Sequence, residues 1–367
     1  LIQPENIGNK ILFGLLAVSL LFKLLRALHE WYHYFNIKID NKPELKKAWS
    51  VDILTTYCSG EPYDMIVSTL QAMVEIEYPH TNYLCDEADD PYLKSVCERL
   101  GVIHVTRDEK IDAKAGNINN ALKQAKGEIA VILDPDHQPH PRFLHEVLPY
   151  FNDKEVGYVQ SVQPYKNQNE SFVARGAAEQ TYQFYGPLMM AMNGYNTAQA
   201  IGANCAFRRE ALDSIGGHAA GLSEDMHTAM LLHAKGWKSK YVPVMLTRGL
   251  VPSSLSAYYK QQLKWSRGTF DLLFYKLPKL LNNLSWRQKL HYLTLPIYFL
   301  FGFITLIDIF IPVLGLILMD SPLKMDSNDF LMYMLPFVVS TVIIRLYSQK
   351  WTLEDQEKGF HLVGGIL

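Results

Sequence analysis

Two pairs of acidic residues and one tryptophan are the residues whose types and spacing fit chemistry best. Asp134 and Asp136 lie one residue apart, directly after an apolar run over residues 129–133. Carboxylates so placed can hold one hard cation, Mg²⁺ or Mn²⁺, which is commonly shared with substrate phosphates. A metal that bridges a diphosphate neutralises the charge that develops as the diphosphate leaves. An isolated Asp-x-Asp is more often a solvated turn, so other residues must decide.

The second acidic pair, Glu224 and Asp225, follows Ser223 at the head of a helical run over residues 226–233. Helix capping by Ser223, with acids in the first turn, would explain both carboxylates. The alternative interpretation makes Asp225 a general base. An attacking hydroxyl must lose its proton, and a fixed carboxylate within hydrogen-bond reach can accept it.

Trp265 closes a short polar segment that begins at Gln261 and includes Lys264. A tryptophan face can stack on the apolar face of a pyranose ring, and its indole N–H can donate a hydrogen bond. The alternative is an interfacial tryptophan that anchors the chain at a membrane surface. The residue type alone fits both interpretations.

The elements that must position these side chains alternate between strands and helices from about Lys47 to Leu250. The predicted strands cover residues 51–55, 82–85, 102–105 and 129–133, and the predicted helices cover residues 65–75 and 115–125. Such alternation predicts a parallel, doubly wound α/β sheet, in which ligands sit at the carboxyl ends of the strands. Asp86, Asp134 and Asp136 follow their strands and are predicted in the site. Asp52 starts its strand and is predicted outside it.

Three apolar stretches predict membrane helices around this α/β region. The first, residues 11–31, is interrupted by Lys23 and Arg26, and it spans a membrane only if both side chains snorkel to an interface. A helix lying on the surface is its alternative. Residues 292–319 and 330–344 are predicted to form a hairpin. Basic residues flank the hairpin at both ends, so the positive-inside rule predicts that these flanks and the α/β domain are cytoplasmic.

Asp308 interrupts the first stretch of the hairpin. An ionisable residue inside an apolar run is a functional candidate by default. It either lines a channel or marks a helix end near the outer face, and the sequence leaves both interpretations open.

Composition agrees with a membrane protein. Hydrophobic residues make up 49% of the 367 residues and charged residues only 20%. The formal net charge of −2 argues against a nucleic-acid partner. The four cysteines have no metal-finger spacing, which indicates free thiols in a reducing compartment. Because the chain starts with Leu1 rather than methionine and ends within what reads as an unfinished segment, we expect the natural protein to extend beyond both ends.

Five regions are predicted on this basis. They are an N-terminal transmembrane or interface helix (1–46), a cytoplasmic α/β domain (47–268), an amphipathic interface helix (269–290), a transmembrane hairpin (291–350) and an interface segment (351–367).

The order and spacing of the motifs resemble the cellulose synthase family of processive, inverting glycosyltransferases with the GT-A fold. The resemblance covers nearly everything from about residue 11 to residue 367. The motifs that carry it are Thr55-Thr56-Tyr57 with Glu61, Cys85-Asp86-Glu87, Lys114-Ala115-Gly116-Asn117, Asp134-Pro135-Asp136-His137, Phe184-Tyr185-Gly186, Gly202-Ala203-Asn204-Cys205, Ser223-Glu224-Asp225 and the run from Gln261 to Trp265.

The resemblance implies a role for each of these motifs. Asp225 is the implied catalytic base, and Asp134 and Asp136 are the implied metal ligands. The residues implied to bind the nucleotide sugar are Thr55, Tyr57, Glu61, Asp86, Lys114, Asp134, Gln261 and Lys264. The residues implied to bind the acceptor are Trp265, Glu224, Tyr185, Gly202 and Cys205.

Two residues depart from the family pattern. Ser223 replaces a threonine, which is a mild change. Lys264 replaces an arginine, and a lysine is a single point charge where a guanidinium grips a diphosphate with two parallel bonds. This position can therefore offer a diphosphate a single charged contact rather than a paired one.

The resemblance further implies a GT-A, Rossmann-like cytoplasmic domain inserted between transmembrane helices of a plasma (bacterial inner) membrane protein. The implied partners are a UDP-sugar donor, a growing polysaccharide, the lipid bilayer and export subunits in the membrane or periplasm. UDP-glucose and a β-glucan are the first expectation. The alternatives are a β-1,3-glucan, mannan, chitin or hyaluronan product, transfer of one sugar to a lipid carrier, and a non-catalytic scaffold of a polysaccharide-export complex.

Overall fold

The structure is a computed structural model and describes residues 3–351. The strands are β1 (Val51–Tyr57), β2 (Thr81–Asp86), β3 (Ile103–Val105), β4 (Ile129–Ile132), β5 (Gln138–Pro139), β6 (Val156–Ser161), β7 (Cys205–Arg208), β8 (Lys238–Val242) and β9 (Thr247–Arg248). The α-helices are α1 (Lys10–Tyr34), α2 (Tyr63–Val74), α3 (Pro91–Leu100), α4 (Ala113–Leu122), α5 (Phe143–Val147), α6 (Phe172–Gln183), α7 (Met189–Gly194), α8 (Arg209–Ser214), α9 (Glu224–Ala234), α10 (Leu255–Asp271), α11 (Leu277–Leu280), α12 (Trp286–Thr294), α13 (Phe301–Leu318) and α14 (Ser327–Ser348).

A mixed sheet with the strand order β3-β2-β1-β4-β7-β6-β8 forms the centre of the α/β region. Its first half is parallel, as predicted, because β1 pairs in parallel with both β2 and β4. The prediction of a wholly parallel sheet is wrong at β7, which is antiparallel to β4 and β6. Cys205, the first residue of β7, therefore pairs with Ile132, the last residue of β4. This reversal brings the loop before β7 to the edge where Asp134 lies.

Every residue of β1 and of β4 is buried, as expected for strands covered on both faces. One hydrophobic core lies between the sheet and the helices α2, α3 and α5, with Leu70, Val96 and Phe143 as members. The other core lies between the sheet and α4, α8 and α9, and includes Ile118 and Leu232. A sheet packed on both sides holds the loops at its edge rigidly.

Within residues 3–351, three helical segments are long and apolar enough to cross a membrane by length and composition: Lys10–Tyr34, Trp286–Leu318 and Ser327–Trp351. They coincide with the predicted membrane stretches. Large side chains on them are open to the surroundings, for example Leu316 at 80% and Met332 at 72% exposed. Residues 352–367, which contain most of the predicted interface segment, lie outside the described residues.

Asp308 lies in the interior of α13, so the helix-end interpretation of this residue is wrong. Its carboxylate is 2.7 Å from the ammonium of Lys23 and accepts a 2.5 Å hydrogen bond from the hydroxyl of Ser19. Lys23 and Ser19 both belong to α1. The two helices thus share one ion pair within otherwise apolar surroundings.

The segment 269–290, predicted as one amphipathic helix, is divided in the structure. It contains the end of α10, a π-helical turn over Leu272–Lys276, α11 and the start of α12. Pro278 fits the first turn of α11 because proline lacks the N–H that a helix interior needs. Leu272, Leu277 and Leu284 pack with Met230 of α9, so this segment lies directly against the α/β domain.

Candidate active site

The loop after β4 contains a cluster of metal-ligating groups. Asp134, Asp136 and His137 each offer one ligand atom, and these atoms lie within 4.8 Å of one another. The Nδ1 atom of His137 is 2.7 Å from Oδ1 of Asp136, and Oδ2 of Asp136 accepts the N–H of Leu250 at 3.1 Å. Two carboxylates with one imidazole suit Mg²⁺ or Mn²⁺ better than softer metals. This donor set fits the divalent metal predicted from the Asp-x-Asp motif.

His137 was not predicted as a ligand, although its place directly after Asp136 was the available signal. Its ring is buried and packs against Gly249, where any Cβ atom would collide with the imidazole. The close approach of Gly249 fixes the ring. The imidazole and the two carboxylates therefore keep a defined arrangement.

Lys114, in the first turn of α4, lies between the two acidic pairs. Its ammonium contacts the carboxylate of Asp134, donates to the carbonyl of Gly202 at 2.9 Å and is 4.0 Å from the carboxylate of Glu224. Burial disfavours the charged form, but the carboxylates of Asp134 and Glu224 outweigh it and raise the pKa of Lys114. The side chain therefore carries a positive charge at the centre of the site.

Asp225 lies in the first turn of α9, and its carboxylate accepts the N–H of Met226 at 2.8 Å. Gly202 lies directly against it, because a Cβ atom at Gly202 would be 3.0 Å from Oδ2 of Asp225. Burial and the neighbouring charge of Glu224 raise the pKa of Asp225 to about 7. A carboxylate with a pKa near neutrality is well matched to general-base chemistry.

The helix-capping interpretation of the second acidic pair fails at Ser223. Its side chain makes no capping hydrogen bond to α9. The hydroxyl instead points at Gly268 of α10, where a Cβ atom would overlap it. This close approach joins the start of α9 to the helix that carries Trp265.

Four of the residues implied to bind the nucleotide sugar lie in β1, in the loop after it or at the end of β2. Asp86 is fully buried, and its carboxylate accepts the N–H groups of Ala88 and Asp90 at 2.8 and 2.7 Å and lies 2.9 Å from Nε2 of His104. Thr55 is also fully enclosed, in β1. Both side chains are enclosed by the protein, and any direct contact with a nucleotide stays a prediction.

Tyr57 and Glu61 occupy the loop side of the same edge. The ring of Tyr57 stacks on that of Tyr63 with the centroids 6.1 Å apart. Glu61 accepts the N–H of Cys58 at 2.9 Å. Burial raises the pKa of Glu61, and the nearby charges of Asp136 and Asp134 raise it further. Glu61 is thus close enough to the metal-ligating cluster to sense its charge.

Two further residues implied to bind the acceptor, Cys205 and Tyr185, are buried. Cys205 lies at the start of β7. Tyr185 lies in the π-helical turn Phe184–Leu188, and its hydroxyl donates a hydrogen bond to Gln163 at 3.0 Å. Burial raises the pKa of both Cys205 and Tyr185, and the charge of Asp225 contributes to each shift. The charge of Asp225 therefore reaches both side chains, and their role in acceptor binding stays a prediction.

The remaining predicted residues lie on α10. Gln261 and Trp265 are half-buried and Lys264 is exposed. The adjacent Gln262 is 3.2 Å from the amide nitrogen of Gln180 on α6. One turn after Trp265, Gly268 contacts Ser223. The helix therefore contacts the Asp225 side of the site through Gly268, while its predicted binding residues remain exposed or half-buried.

The fold and the site define an α/β protein of the GT-A type with flanking helices that are apolar enough to span a membrane. Residues 54–268 match the family model "Glycosyltransferase like family 2", and residues 213–366 match the model "Cellulose synthase". Since the first match covers more than half of the chain, the chain belongs to the glycosyltransferase family 2-like proteins. The GT-A fold and the family resemblance predicted from the sequence are thereby confirmed.

Among curated proteins, the chain is 29% identical to the cellulose synthase catalytic subunit (UDP-forming) of Xanthomonas axonopodis pv. citri (strain 306), over 82% of this chain and 43% of that protein. It is 28% identical to the corresponding subunit of Pseudomonas fluorescens (strain SBW25), over 81% of this chain and 41% of that protein. The chain therefore spans about two-fifths of the length of these relatives.

Among solved structures, the fold is similar to that of the mannosyltransferase PcManGT from Pyrobaculum calidifontis in complex with GDP-Man and Mn²⁺. The TM-score is 0.62 at 17% identity, over 97% of this chain and 98% of that one. At this identity the likeness shows the fold alone.

Proposed function

We propose that this protein is the catalytic part of a membrane-bound, metal-dependent polysaccharide synthase. It transfers a hexose with inversion from a UDP-sugar, in the first instance glucose from UDP-glucose, to the non-reducing end of a growing β-glucan. The observation that carries the proposal is the contact of Lys114 with Asp134 and with the carbonyl of Gly202, a residue that itself lies against Asp225. The similarity to UDP-forming cellulose synthase subunits supports the choice of donor and product.

The proposed reaction is one in-line displacement at the anomeric carbon. Asp134, Asp136 and His137 would hold Mg²⁺ or Mn²⁺, and the bound metal would supply positive charge that neutralises a departing diphosphate. Lys114 adds a second positive charge on the same side. Asp225 accepts the proton of the attacking acceptor hydroxyl. A single displacement converts an α-linked donor into a β-linked product.

The acceptor side is proposed to lie along α10. Trp265 would support the terminal sugar by stacking, and Gln261 would hydrogen-bond it. Glu224 and Tyr185 would complete the acceptor site, and Lys264 would reach the diphosphate as a point charge. The α/β domain is proposed to be cytoplasmic, with the apolar helices in the plasma membrane, the polymer leaving through the membrane region and export subunits receiving it.

The test is UDP release by the purified full-length protein in detergent or lipid, with UDP-glucose and either Mg²⁺ or Mn²⁺. A panel of labelled UDP-sugars, followed by linkage-specific digestion of any polymer, identifies the product. Metal-dependent UDP release with a β-1,4-glucan product is expected. UDP release with another sugar would replace the glucan by a mannan-, chitin- or hyaluronan-type product. No release with any UDP-sugar would indicate a non-catalytic scaffold.

A further inference from the structure

Arg107 is a nearly buried arginine at the edge of the site that none of the roles above uses. Its side chain is 5% exposed. The guanidinium donates to the carbonyl of Ile111, to the carbonyl of Ala113 at 2.9 Å and to the carboxylate of Glu87 at 3.1 Å. One side chain therefore joins the end of β2 to the turn that begins α4.

The turn gripped by Arg107 has an unfavourable backbone. Asp112 and Ala113 have φ angles of 61° and 42°, so two consecutive residues without the freedom of glycine adopt the left-handed region. Such a backbone persists only where its surroundings hold it, and it clusters at functional sites. The two gripped carbonyls lie on either side of Asp112, whose own side chain makes no capping hydrogen bond.

The same contact reaches the helix that carries Lys114. A Cβ atom at Gly116 would collide with the carbonyl of Ile111 and with the guanidinium of Arg107. The first turn of α4 thus packs directly on the arginine. Lys114 directly follows Ala113, so the direction of its side chain depends on the turn that Arg107 holds.

We propose that Arg107 is a positioning residue for donor binding. It fixes the left-handed turn before Lys114, joins that turn to Glu87 beside Asp86, and so sets the affinity for the nucleotide diphosphate. The inference rests on the proposed function, because it assigns the diphosphate to Lys114. A lysine cannot replace Arg107, since a planar fork with several N–H groups is needed to reach three acceptors at once.

The experiment compares Arg107→Gln and Arg107→Lys with Arg99→Gln, a control at the exposed end of α3. We measure the Kd of UDP with Mn²⁺ by calorimetry, and the KM and kcat for the donor. Both Arg107 variants should raise Kd and KM about tenfold or more, as expected for the loss of charge-assisted hydrogen bonds. The kcat at saturating donor should stay within about threefold, because the base and the metal ligands are untouched.

Unchanged Kd and KM in Arg107→Gln would overturn the proposal, and so would a fall in kcat alone or an equal effect of Arg99→Gln. If the Arg107 variants do not fold, Glu87→Gln serves instead, because it keeps both carbonyl contacts and removes only the partner charge. It should weaken UDP binding several-fold and speed amide exchange over residues 111–118. Parent-like binding and exchange in Glu87→Gln would overturn the proposal.

Failure of the proposed function is distinguishable from failure of this inference. A parent protein that releases no UDP from any donor refutes the proposed activity. The binding of UDP and of GDP, together with amide exchange over residues 111–118, still tests the positioning role without turnover. Faster exchange with weaker nucleotide binding in Arg107→Gln supports it, and the absence of either change overturns it.

Discussion

The two sides of the site differ in how firmly their side chains are held. On the side of the proposed metal ligands and base, Lys114, Asp134 and Asp225 contact one another or a shared glycine, and a sheet packed on both faces supports their loops. On the acceptor side, α10 presents exposed or half-buried residues, with Leu263 61% exposed. Stabilising the charge that develops in a transition state requires groups that are already in place before the reaction. A polymer that advances after each addition needs a surface that supports it without fixing its position.

Asp225→Asn is expected to impair the side of the proposed metal ligands and base most severely. The amide keeps the shape of the side chain but cannot accept a proton, so transfer should fall about 10²–10⁴-fold. UDP affinity should stay close to that of the parent, since Asp225 is not a metal ligand. UDP release and UDP calorimetry measure the two effects. Asp213→Asn on α8 is the control, and transfer near the parent rate in Asp225→Asn would refute the assignment of the base.

Trp265→Ala tests the acceptor side separately. A poorly placed acceptor should cut polymer yield about 10²-fold. Folding and UDP affinity should be retained, and the residual activity should be hydrolysis of the donor by water. Trp286→Ala is the matched control, because Trp286 is 61% exposed at the start of α12 and fits an interfacial anchor. Normal polymer yield from folded Trp265→Ala, or an equal loss in Trp286→Ala, would leave Trp265 as an anchor.

Asp136→Asn should weaken the metal site without altering the acceptor side. Loss of a carboxylate ligand should lower metal affinity by at least the ~10–100-fold seen when supporting partners of metal ligands are removed. UDP binding should then depend little on Mg²⁺ or Mn²⁺. Metal titrations followed by UDP calorimetry measure this. If UDP binding keeps the metal dependence of the parent, Asp136 is not a ligand.

The pH dependence of transfer should reflect the raised pKa of Asp225. A general base must be deprotonated, and this carboxyl has a pKa of about 7, so the rate should fall about tenfold per pH unit below that value. Glu224 raises the pKa of Asp225 through its charge. Glu224→Gln should therefore move the acid limb of the pH–rate profile to lower pH. An acid limb that stays in place in this variant would contradict the electrostatic coupling of the two carboxyls.

The first half of the fold could be predicted from local patterns, and the second half could not. The buried apolar runs of β1 to β4 and the helices between them are visible in the sequence, and all four predicted strands are present. The direction of β7 is not a local property, because it depends on pairing with β4 and β6 across long stretches of chain. Strands of two residues, such as β5 and β9, are too short to show the alternation of apolar and polar residues that predicts a strand.

The candidate site shows the same limit. Asp134 and Asp225 could be found because short motifs surround them. Gly202 and Lys114 could be named only by resemblance, and their contact through the Gly202 carbonyl follows from the reversed strand. Arg107 belongs to none of the motifs found in the sequence. Its importance depends on the left-handed backbone of Asp112 and Ala113, which their side-chain types do not predict.

The ion pair between Lys23 and Asp308 fixes the position of α1 along α13. Past the carboxyl end of α1, Asp40 accepts hydrogen bonds from Lys240 at 2.8 Å and from Asn193 at 3.2 Å, so the chain is fastened to the α/β domain as well. Sliding α1 along α13 by one helical turn would part the paired charges by about 5.4 Å and break the ion pair. One lysine and one aspartate, whose side chains are 38% and 33% exposed, thus hold α1 in register with α13, while Asp40 fastens the following chain to the α/β domain.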